Sequence, residues 1–494
     1  MYSRWLLLTF VTAWACGGSD SATTLPSGPS SNPSVLEIIS GDQQRGLTGR
    51  ALADSLIVRA RTASGAAVAG VAVSWTSSSG TLSTASTVTD ATGTARVQWI
   101  AGAGDATAAA SLQGSAAVTF RANGRANGAC VLTPSAQTQR FSLGATDFTL
   151  SLRATSPHKI VALFVDFSDA PTTETPQSVM SLIVDPGVAL MKELSYNRTD
   201  ITVTPVAKWY RMSKTSASYS WSTFAGHKAF FQEALALADA DVDFSPYDAV
   251  YVFASANAAQ VVSPTFNGGQ SNGFTFDGRV FGNGVTFGQD SRRFGPAILA
   301  HETHHMLGLV DLYSYDPAAG TPYQGNQFRD VGAWSLMSNV FTPGHTFAWE
   351  KRKLGFLDDA QVDCLEGTPG GEEAIIQPVE TVGGRKMIGI PLDANRALVV
   401  EVRSNQGLDA NLCSQGVLIY EVNAAAASGV DPVKIRGSRV STSGAAFARC
   451  GPWADATFGV GSGDISLFTD AASGVSVRVL AAESGGAYRV RVKR

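Results

Sequence analysis

The sequence has few charged residues, few histidines and few cysteines, and it lacks a long apolar run. Charged side chains make up 16% of the 494 residues, and the formal net charge is −4. No polybasic segment is present, so a nucleic-acid partner is not expected. No apolar run reaches the roughly 18 residues that a membrane-spanning helix needs. At roughly 150 residues per domain, the length predicts about three domains.

The five cysteines lack the close pairs that a cysteine zinc site would use. No C-x-x-C pair occurs, and no cysteine has an obvious histidine partner motif of the kind that a thiol active site needs. Beyond Cys16, four cysteines remain, which suits two disulfides in an exported protein and leaves three connectivities open. These four are Cys130, Cys364, Cys413 and Cys450.

The N-terminus has the pattern of an export signal. A short basic start is followed by the apolar stretch Trp5–Trp14, which predicts a signal peptide over 1–15. The sequence AWAC ending at Cys16 resembles a bacterial lipobox, which implies a lipid on Cys16 and a lipidated, flexible Gly/Ser/Pro-rich tether over 16–34. We expect an outer-membrane or cell-surface lipoprotein attached to the membrane by this lipid anchor. The alternative is that the signal peptide is cleaved without lipidation of Cys16, which would give a secreted protein.

Short alternating strands begin after the tether. The segments 56–60, 71–75 and 95–99 alternate apolar and polar residues between turns, which predicts a β-sandwich. The stretches 65–75 and 88–95 resemble the bacterial Ig-like repeats of invasin-type surface proteins. That resemblance implies an Ig-like domain over 35–123 that acts as a spacer or an adhesion unit.

Residues 124–157 are interpreted as a linker or pro-like segment, and a mixed region follows. His158–Phe167 is almost continuously apolar, as in a strand that is buried on both faces. Helical spacing over 222–240 and hairpin signals over 267–295 complete a central α/β domain over 158–361. The strand-like stretch 362–494 predicts a β-rich C-terminal domain. The fold class is therefore multidomain: β-sandwich, α/β and β-rich.

The segment from Pro296 to Tyr313, PAILAHETHHMLGLVDLY, predicts a helix with two histidines on one face. Pro296 suits the first turn of a helix, and Gly308 suits its end. His301 and His305 are four residues apart, so both imidazoles can bind one Zn²⁺ ion. Glu302 lies about 100° round the helix from His301 and can reach a water at the metal without binding the metal. This is the H-E-x-x-H arrangement of zinc peptidases.

The residues after the helix extend the motif. Gly308 can adopt a positive φ, and the turn would bring Asp311 back as a third ligand. HETHHMLGLVD resembles the extended metzincin motif, with Asp where many members have His. GAWSLMS over 332–338 then resembles the Met-turn, in which Met337 lies beneath the metal.

These motifs, with FAWEKRKLGF over 347–356, resemble the immune inhibitor A family of secreted metallopeptidases over about 158–422. The resemblance implies a metzincin-like zinc endopeptidase domain followed by β-rich domains. Two positions depart from the pattern: Leu312 follows Asp311 where the family has an acidic pair, and Asn339 stands where many metzincins have Tyr.

The expected function is zinc-dependent hydrolysis of protein or peptide substrates, with Glu302 as general base. Residues 274–288 are expected to pair with an extended substrate. Asp316 and Asp330 are candidate ligands for a structural Ca²⁺ ion, although solvated loop carboxylates are the default. Two alternatives stand: a catalytically idle surface adhesion or binding protein, and a hydrolase specialised for glycoproteins. No pattern in the sequence indicates an oligomeric state.

Overall fold

The computed structural model of the chain describes residues 33, 35–125, 130–135, 138, 141–221, 223–316, 327–365, 371–412 and 414–494. The predicted signal peptide, Cys16 and the tether, apart from Pro33, lie outside the described residues. Within these ranges, no helix is both long enough and apolar enough to cross a bilayer.

Two facing sheets form the N-terminal part. Its strands are β1 (Val35–Ser40), β2 (Gln44–Leu47), β3 (Leu56–Arg61), β4 (Ala72–Ser77), β5 (Thr81–Leu82), β6 (Ser86–Val88), β7 (Thr94–Val97), β8 (Trp99–Ile100), β9 (Gly104–Ser111) and β10 (Val118–Arg125). The sheet orders are β1-β3-β7 and β2-β10-β9-β4-β6, with β5 and β8 as a separate ribbon. Val58, Trp75 and Phe120 meet in one core, as a β-sandwich requires. The strands predicted at 56–60, 71–75 and 95–99 are confirmed to within two residues.

The central part is a five-stranded sheet between helices. Its elements are β11 (Pro157–Asp166), α1 (Pro176–Val179), α2 (Asp185–Leu194), β12 (Asp200–Arg211), α3 (Phe224–Ala238), β13 (Ala249–Ala254), β14 (Thr265–Asn267), α4 (Gly269–Asn272), β15 (Phe274–Phe276), β16 (Arg279–Phe281), β17 (Asn283–Phe287), α5 (Ser291–Phe294), α6 (Pro296–Met306) and α7 (Ala348–Lys353). A π-helical turn, Met180–Val184, joins α1 to α2. The sheet order is β12-β11-β13-β17-β14.

Strand β11 is buried on both faces, as its apolar run predicts. Ile160 packs in the same core as Leu299 of α6, whereas Val161 packs in a second core with Phe230 of α3. Because side chains of a strand alternate between faces, α6 and α3 lie on opposite sides of the sheet. The central region is therefore a three-layer α/β arrangement, and it places α6 against one sheet face.

The stretch 274–288 differs from its prediction. β15 and β16 form the expected hairpin, but β17 is hydrogen-bonded to β13 on one side and to β14 on the other. An interior strand has no free edge for a substrate, so the β17 part of the expected pairing is wrong. Pairing of a peptide with the β15–β16 hairpin stays a prediction. The sequence does not reveal that the three residues of β14 close the sheet edge.

The C-terminal region contains two sheets. Its elements are β18 (Val362–Cys364), β19 (Glu372–Ile376), β20 (Met387–Pro391), β21 (Arg396–Arg403), β22 (Gly416–Asn423), β23 (Val433–Ile435), α8 (Gly444–Cys450), β24 (Leu467–Asp470), β25 (Val475–Ala482) and β26 (Tyr488–Lys493). The sheet orders are β18-β20-β21-β22-β23 and β19-β26-β25-β24. Leu398 and Val400 of β21 face the four-stranded sheet, while Val399 and Tyr420 join the core that contains α6. The C-terminal sheet thus packs directly on the central region.

The segment between the sandwich and β11 packs into the same core. Leu143 is buried there, and its carbonyl oxygen accepts a 2.9 Å hydrogen bond from Trp349 Nε1. Cys130 of this pro-like segment forms a disulfide with Cys364. It therefore has no free thiol that could bind to a zinc ion and block it. Cys450 is also disulfide-bonded, and Cys413 lies outside the described residues.

The sandwich contacts the C-terminal sheets through both apolar and charged residues. Leu47 of β2 is buried in the core of the C-terminal sheets. Arg489 pairs with Asp54 at 2.7 Å, and Arg50 pairs with Asp363 at 3.6 Å. The predicted spacer is therefore held against the rest of the chain.

Candidate metal centre

Helix α6 carries the H-E-x-x-H residues and has the predicted ends. Pro296 occupies its first turn, and the helix ends at Met306. Gly308 follows with a φ of +102°, the left-handed conformation that was predicted for the turn after the helix. This turn directs the chain back along α6 towards Asp311.

Three side-chain atoms converge at the end of this turn. His301 Nε2 lies 3.1 Å from His305 Nε2 and 3.1 Å from Asp311 Oδ1, and His305 Nε2 lies 3.2 Å from the same oxygen. For bonds of about 2.0–2.1 Å, the ligands of a tetrahedral zinc ion are separated by about 3.3–3.4 Å. The triangle therefore has the size of one face of a zinc tetrahedron.

The second nitrogen of each imidazole fixes the orientation of its ring. His301 Nδ1 lies 3.0 Å from the carbonyl oxygen of Leu336, and His305 Nδ1 lies 2.9 Å from that of Leu309. A carbonyl oxygen accepts only, so both Nδ1 atoms are donors and both Nε2 atoms can present lone pairs to a metal. The donor set fits a Zn²⁺ ion.

The electrostatics of the triangle favour a cation. Burial alone would lower the pKa of His305, but the carboxylates of Asp311 and Glu302 raise it to about 9. Burial opposes the ionised form of Asp311, yet the two histidines hold the pKa of its carboxyl group far below its usual range. A positive charge is thus stabilised where the three ligand atoms meet.

Glu302 lies beside the triangle. A carboxylate oxygen of Glu302 lies within 4.8 Å of ligand nitrogens of His301 and His305, a spacing that leaves room for a water between them. Its Oε2 atom accepts a 2.8 Å hydrogen bond from Thr265 Oγ1 on β14. Burial raises the pKa of the Glu302 carboxyl group, as suits a group that accepts and then releases a proton.

The predicted Met-turn passes close to the ligands. Met337 is fully buried, and its carbonyl oxygen accepts a 2.9 Å hydrogen bond from the backbone N–H of Leu312. The preceding carbonyl, that of Leu336, is the partner of His301. Asn339 uses its side-chain oxygen to accept from the N–H groups of Phe341 and Thr342, so it stabilises a turn.

Three residues at the site were not identified from the sequence. Tyr315 donates a 2.5 Å hydrogen bond to Asp311 Oδ2, and Ser428 Oγ accepts a 2.9 Å bond from the backbone N–H of Asp311. Thr265 contacts Glu302 as described. None of them lies in a motif: Ser428 sits in the Ala-rich stretch after β22, and β14 has only three residues.

A cavity of about 410 Å³ opens on Glu302, His305 and Asp311. Phe141, from the segment before β11, forms part of its wall, and Tyr313 and Tyr315 line it as well. The cleft is therefore built from several distant parts of the chain, with both apolar and polar surface beside the ligands.

The remaining motif residues have other contacts. His304 is fully buried, and its Nδ1 atom lies 2.7 Å from the carbonyl oxygen of Ala300, away from the triangle. At the candidate calcium residues, Arg329 donates to the carbonyl oxygen of Asp316 and lies 3.3 Å from an oxygen of Asp330. The guanidinium group of Arg329 thus contacts both residues, and calcium binding there stays a prediction.

No protein-family model matches the chain, and no curated protein sequence is significantly similar to it. Among solved structures, the chain is similar to the D0-D1 domain of intimin, with 20% identity, 17% of this chain and 45% of that chain covered, and a TM-score of 0.15. It is similar to the Yersinia pseudotuberculosis adhesin InvE, with 21% identity, coverage of 21% and 39%, and a TM-score of 0.18. A third likeness is to OgpA from Akkermansia muciniphila, with 13% identity, coverage of 51% and 73%, and a TM-score of 0.22.

The chain spans less than half of the intimin and InvE structures that it matches. Bacterial Ig-like adhesins are thus among the structures it is similar to, whereas these matches do not support membership of the immune inhibitor A family. Because the TM-scores are far below 0.5, the functional assignment rests on the site itself.

Proposed function

We propose that this chain is a zinc-dependent endopeptidase with a metzincin-like central domain. The observation that carries the proposal is the triangle of His301, His305 and Asp311 with the carboxylate of Glu302 beside it. These three ligands would hold the zinc ion and leave its fourth position open towards the cleft. A bound zinc ion supplies Lewis acidity for the scissile carbonyl and lowers the pKa of water.

Glu302 does the proton chemistry in this proposal. Its carboxylate takes a proton from the attacking water and passes it to the departing amine. Thr265 holds the carboxylate by a hydrogen bond from β14, and the carboxylate is largely buried at the wall of the cleft. The peptide N–H of an extended substrate would be positioned by the free edge of β14 rather than by β17.

The cellular setting is part of the same proposal. A signal peptide over 1–15 and a lipid on Cys16 would place the protein at a membrane surface outside the cytoplasm, with protein or peptide substrates. If the signal peptide is cleaved without lipidation, the protein is secreted. The docked Ig-like sandwich would then be a spacer between the anchor and the catalytic region.

The test is hydrolysis of an unfolded protein by the purified full chain, with zinc content measured on the same samples. We expect one zinc per chain in the wild type and in Glu302→Gln, and a loss of at least about 100-fold in hydrolysis in this variant. His301→Ala should lose both zinc and activity.

The result that would overturn the proposal is a wild type that binds no zinc, or hydrolysis that is equal in the wild type and Glu302→Gln. If both proteins bind zinc and neither cleaves any of a panel of bare and glycosylated substrates, the catalytically idle surface binding protein replaces the peptidase.

A further inference from the structure

The third ligand differs from the two histidines in how it is held. His301 and His305 are fixed by α6, whereas Asp311 lies three residues beyond Gly308 in a segment without regular secondary structure. A rigid helix can place two side chains without help, but a ligand on a loop needs hydrogen bonds from its neighbours to hold one orientation.

Those hydrogen bonds come from Tyr315 and Ser428. Asp311 is 7% exposed, and its two carboxylate oxygens have different partners: Oδ1 faces the histidines, and Oδ2 accepts from the Tyr315 hydroxyl at 2.5 Å. The Tyr315 hydroxyl also lies 3.1 Å from Ser428 Oγ. The same serine oxygen accepts from the backbone N–H of Asp311 at 2.9 Å. Ser428 therefore contacts both the backbone of Asp311 and the Tyr315 hydroxyl, which orients the Asp311 carboxylate.

The backbone next to Ser428 strengthens this contact. The N–H of Gly429 donates to the carbonyl oxygen of Asp311 at 3.0 Å, and its own carbonyl accepts from the N–H of Tyr315 at 3.0 Å. Gly429 has a φ of +70°, and a Cβ atom there would collide with the Tyr315 ring. The close approach of the two segments thus requires glycine at this position.

We infer that Ser428 and Tyr315 are positioning residues for the third metal ligand, so that a loop of the C-terminal β-rich region forms part of the metal centre. This inference rests on the proposed function, since it assigns residues to the same zinc site. Because Tyr315 fixes Oδ2 of Asp311, the carboxylate presents Oδ1 to the ion. The carboxylate is then already ordered before the ion binds. Loss of either hydroxyl should therefore weaken zinc binding.

The experiment measures zinc affinity of the full chain by competition with a chelator, and the absorption spectrum of the Co²⁺-loaded protein. The variants are Ser428→Ala, Tyr315→Phe, both together, and Ser428→Thr. Changes in residues that orient metal ligands cost 10–100-fold in affinity, so we expect at least about a tenfold loss for each single variant. In the double variant, the fold loss of zinc affinity should be smaller than the product of the two single losses, because Tyr315 and Ser428 share a hydrogen bond.

Two controls separate positioning from folding. Ser428→Thr retains the hydroxyl and should regain most of the affinity and the Co²⁺ spectrum of the wild type. Ser438→Ala removes a hydroxyl of the same region that bonds to the carbonyl oxygens of Asp455 and Thr457, and it should bind zinc as the wild type does. If Ser428→Ala does not fold, Tyr315→Phe decides alone, because the Tyr315 side chain is 56% exposed.

Wild-type zinc affinity in both Ser428→Ala and Tyr315→Phe would overturn the inference and leave the peptidase proposal intact. A wild type without zinc would overturn the peptidase proposal itself, so the two failures are distinguishable.

Discussion

The hydroxyl of Thr265 lies 2.8 Å from Glu302 Oε2 and 2.7 Å from the backbone carbonyl oxygen of Glu302. This contact joins the edge strand β14 to the helix that carries the two histidines of the proposed metal centre. Thr265 therefore fixes the side chain that the proposed mechanism uses to move a proton.

Thr265→Val should impair hydrolysis without affecting the metal. Valine has nearly the same shape but cannot donate, so the Glu302 carboxylate loses a hydrogen bond worth about 1.5–3 kcal/mol. We expect kcat/KM to fall by about tenfold or more, with one zinc still bound per chain. Steady-state kinetics with a peptide substrate would measure the change. Thr265→Ser should retain most activity, and equal kcat/KM in Thr265→Val and the wild type would contradict the assigned role.

The Cys130–Cys364 disulfide should contribute strongly to stability. It closes a loop of 234 residues and attaches the segment before β11 to the C-terminal sheet. Cross-links that close long loops stabilise proteins by about 2–5 kcal/mol. The double variant Cys130→Ser with Cys364→Ser should lose about this much free energy of unfolding in urea. Mapping of peptides from the non-reduced wild type should recover the linked pair, and two separate peptides there would disprove the disulfide.

Arg403→Met should destabilise the chain severely. The fully buried guanidinium of Arg403 pairs with Glu401 and Asp409, both at 2.6 Å, and donates to the carbonyl oxygen of Trp334 at 2.7 Å. Removal of the cation leaves two buried carboxylates without a compensating positive charge from Arg403, which costs about 3–5 kcal/mol. Urea unfolding would measure the loss.

An exposed arginine provides the control for Arg403. Arg396, whose side chain is 46% exposed, pairs with Asp393 at 2.8 Å, and Arg396→Met should cost less than about 1 kcal/mol. If both variants lost the same free energy, the buried network would not have the assigned structural role.

His227 should make the protein less stable in acid. Burial lowers the pKa of His227 from about 6.5 to about 4, and the ring contacts Thr286 Oγ1 at 3.0 Å. The unfolded chain therefore binds a proton that the folded chain does not, so this contribution is complete above pH 6.5 and is lost as the pH falls towards 4. Between pH 7 and pH 4.5 we expect a loss of about 2 kcal/mol from this residue.

The matched variant for His227 is His227→Gln, which can keep a hydrogen bond to Thr286 but does not titrate. Urea unfolding of both proteins at the two pH values, in the presence of a chelator, isolates the contribution of this residue. Identical pH dependence in the two proteins would contradict the prediction.

The site residues that sequence analysis identified are those that local periodicity brings together. Four-residue spacing places His301 and His305 on one helix face whatever surrounds the helix, and Gly308 sets the turn to Asp311. The buried strand β11 was equally predictable, because an apolar run of that length is typical of a strand that is buried on both faces.

The missed residues depend on contacts between distant segments. Thr265 and Ser428 are small polar residues of a kind common in loops, and only the packing of β14 and of the loop after β22 brings them to α6. The expected substrate pairing over 274–288 is wrong for β17 for a related reason. The order of strands in a sheet follows from the tertiary structure, so the sequence does not show that β17 is an interior strand.

The separation of Asp311 and Ser428 matters for the order in which a cell completes this protein. Ser428 lies 117 residues beyond Asp311, and ribosomes add about 5–20 residues per second, so its synthesis follows by roughly 6–23 s. During this interval both histidines have been synthesised, but the loop that contacts Asp311 has not. For the proposed hydrolase, the metal centre would therefore be complete only after most of the chain has been synthesised.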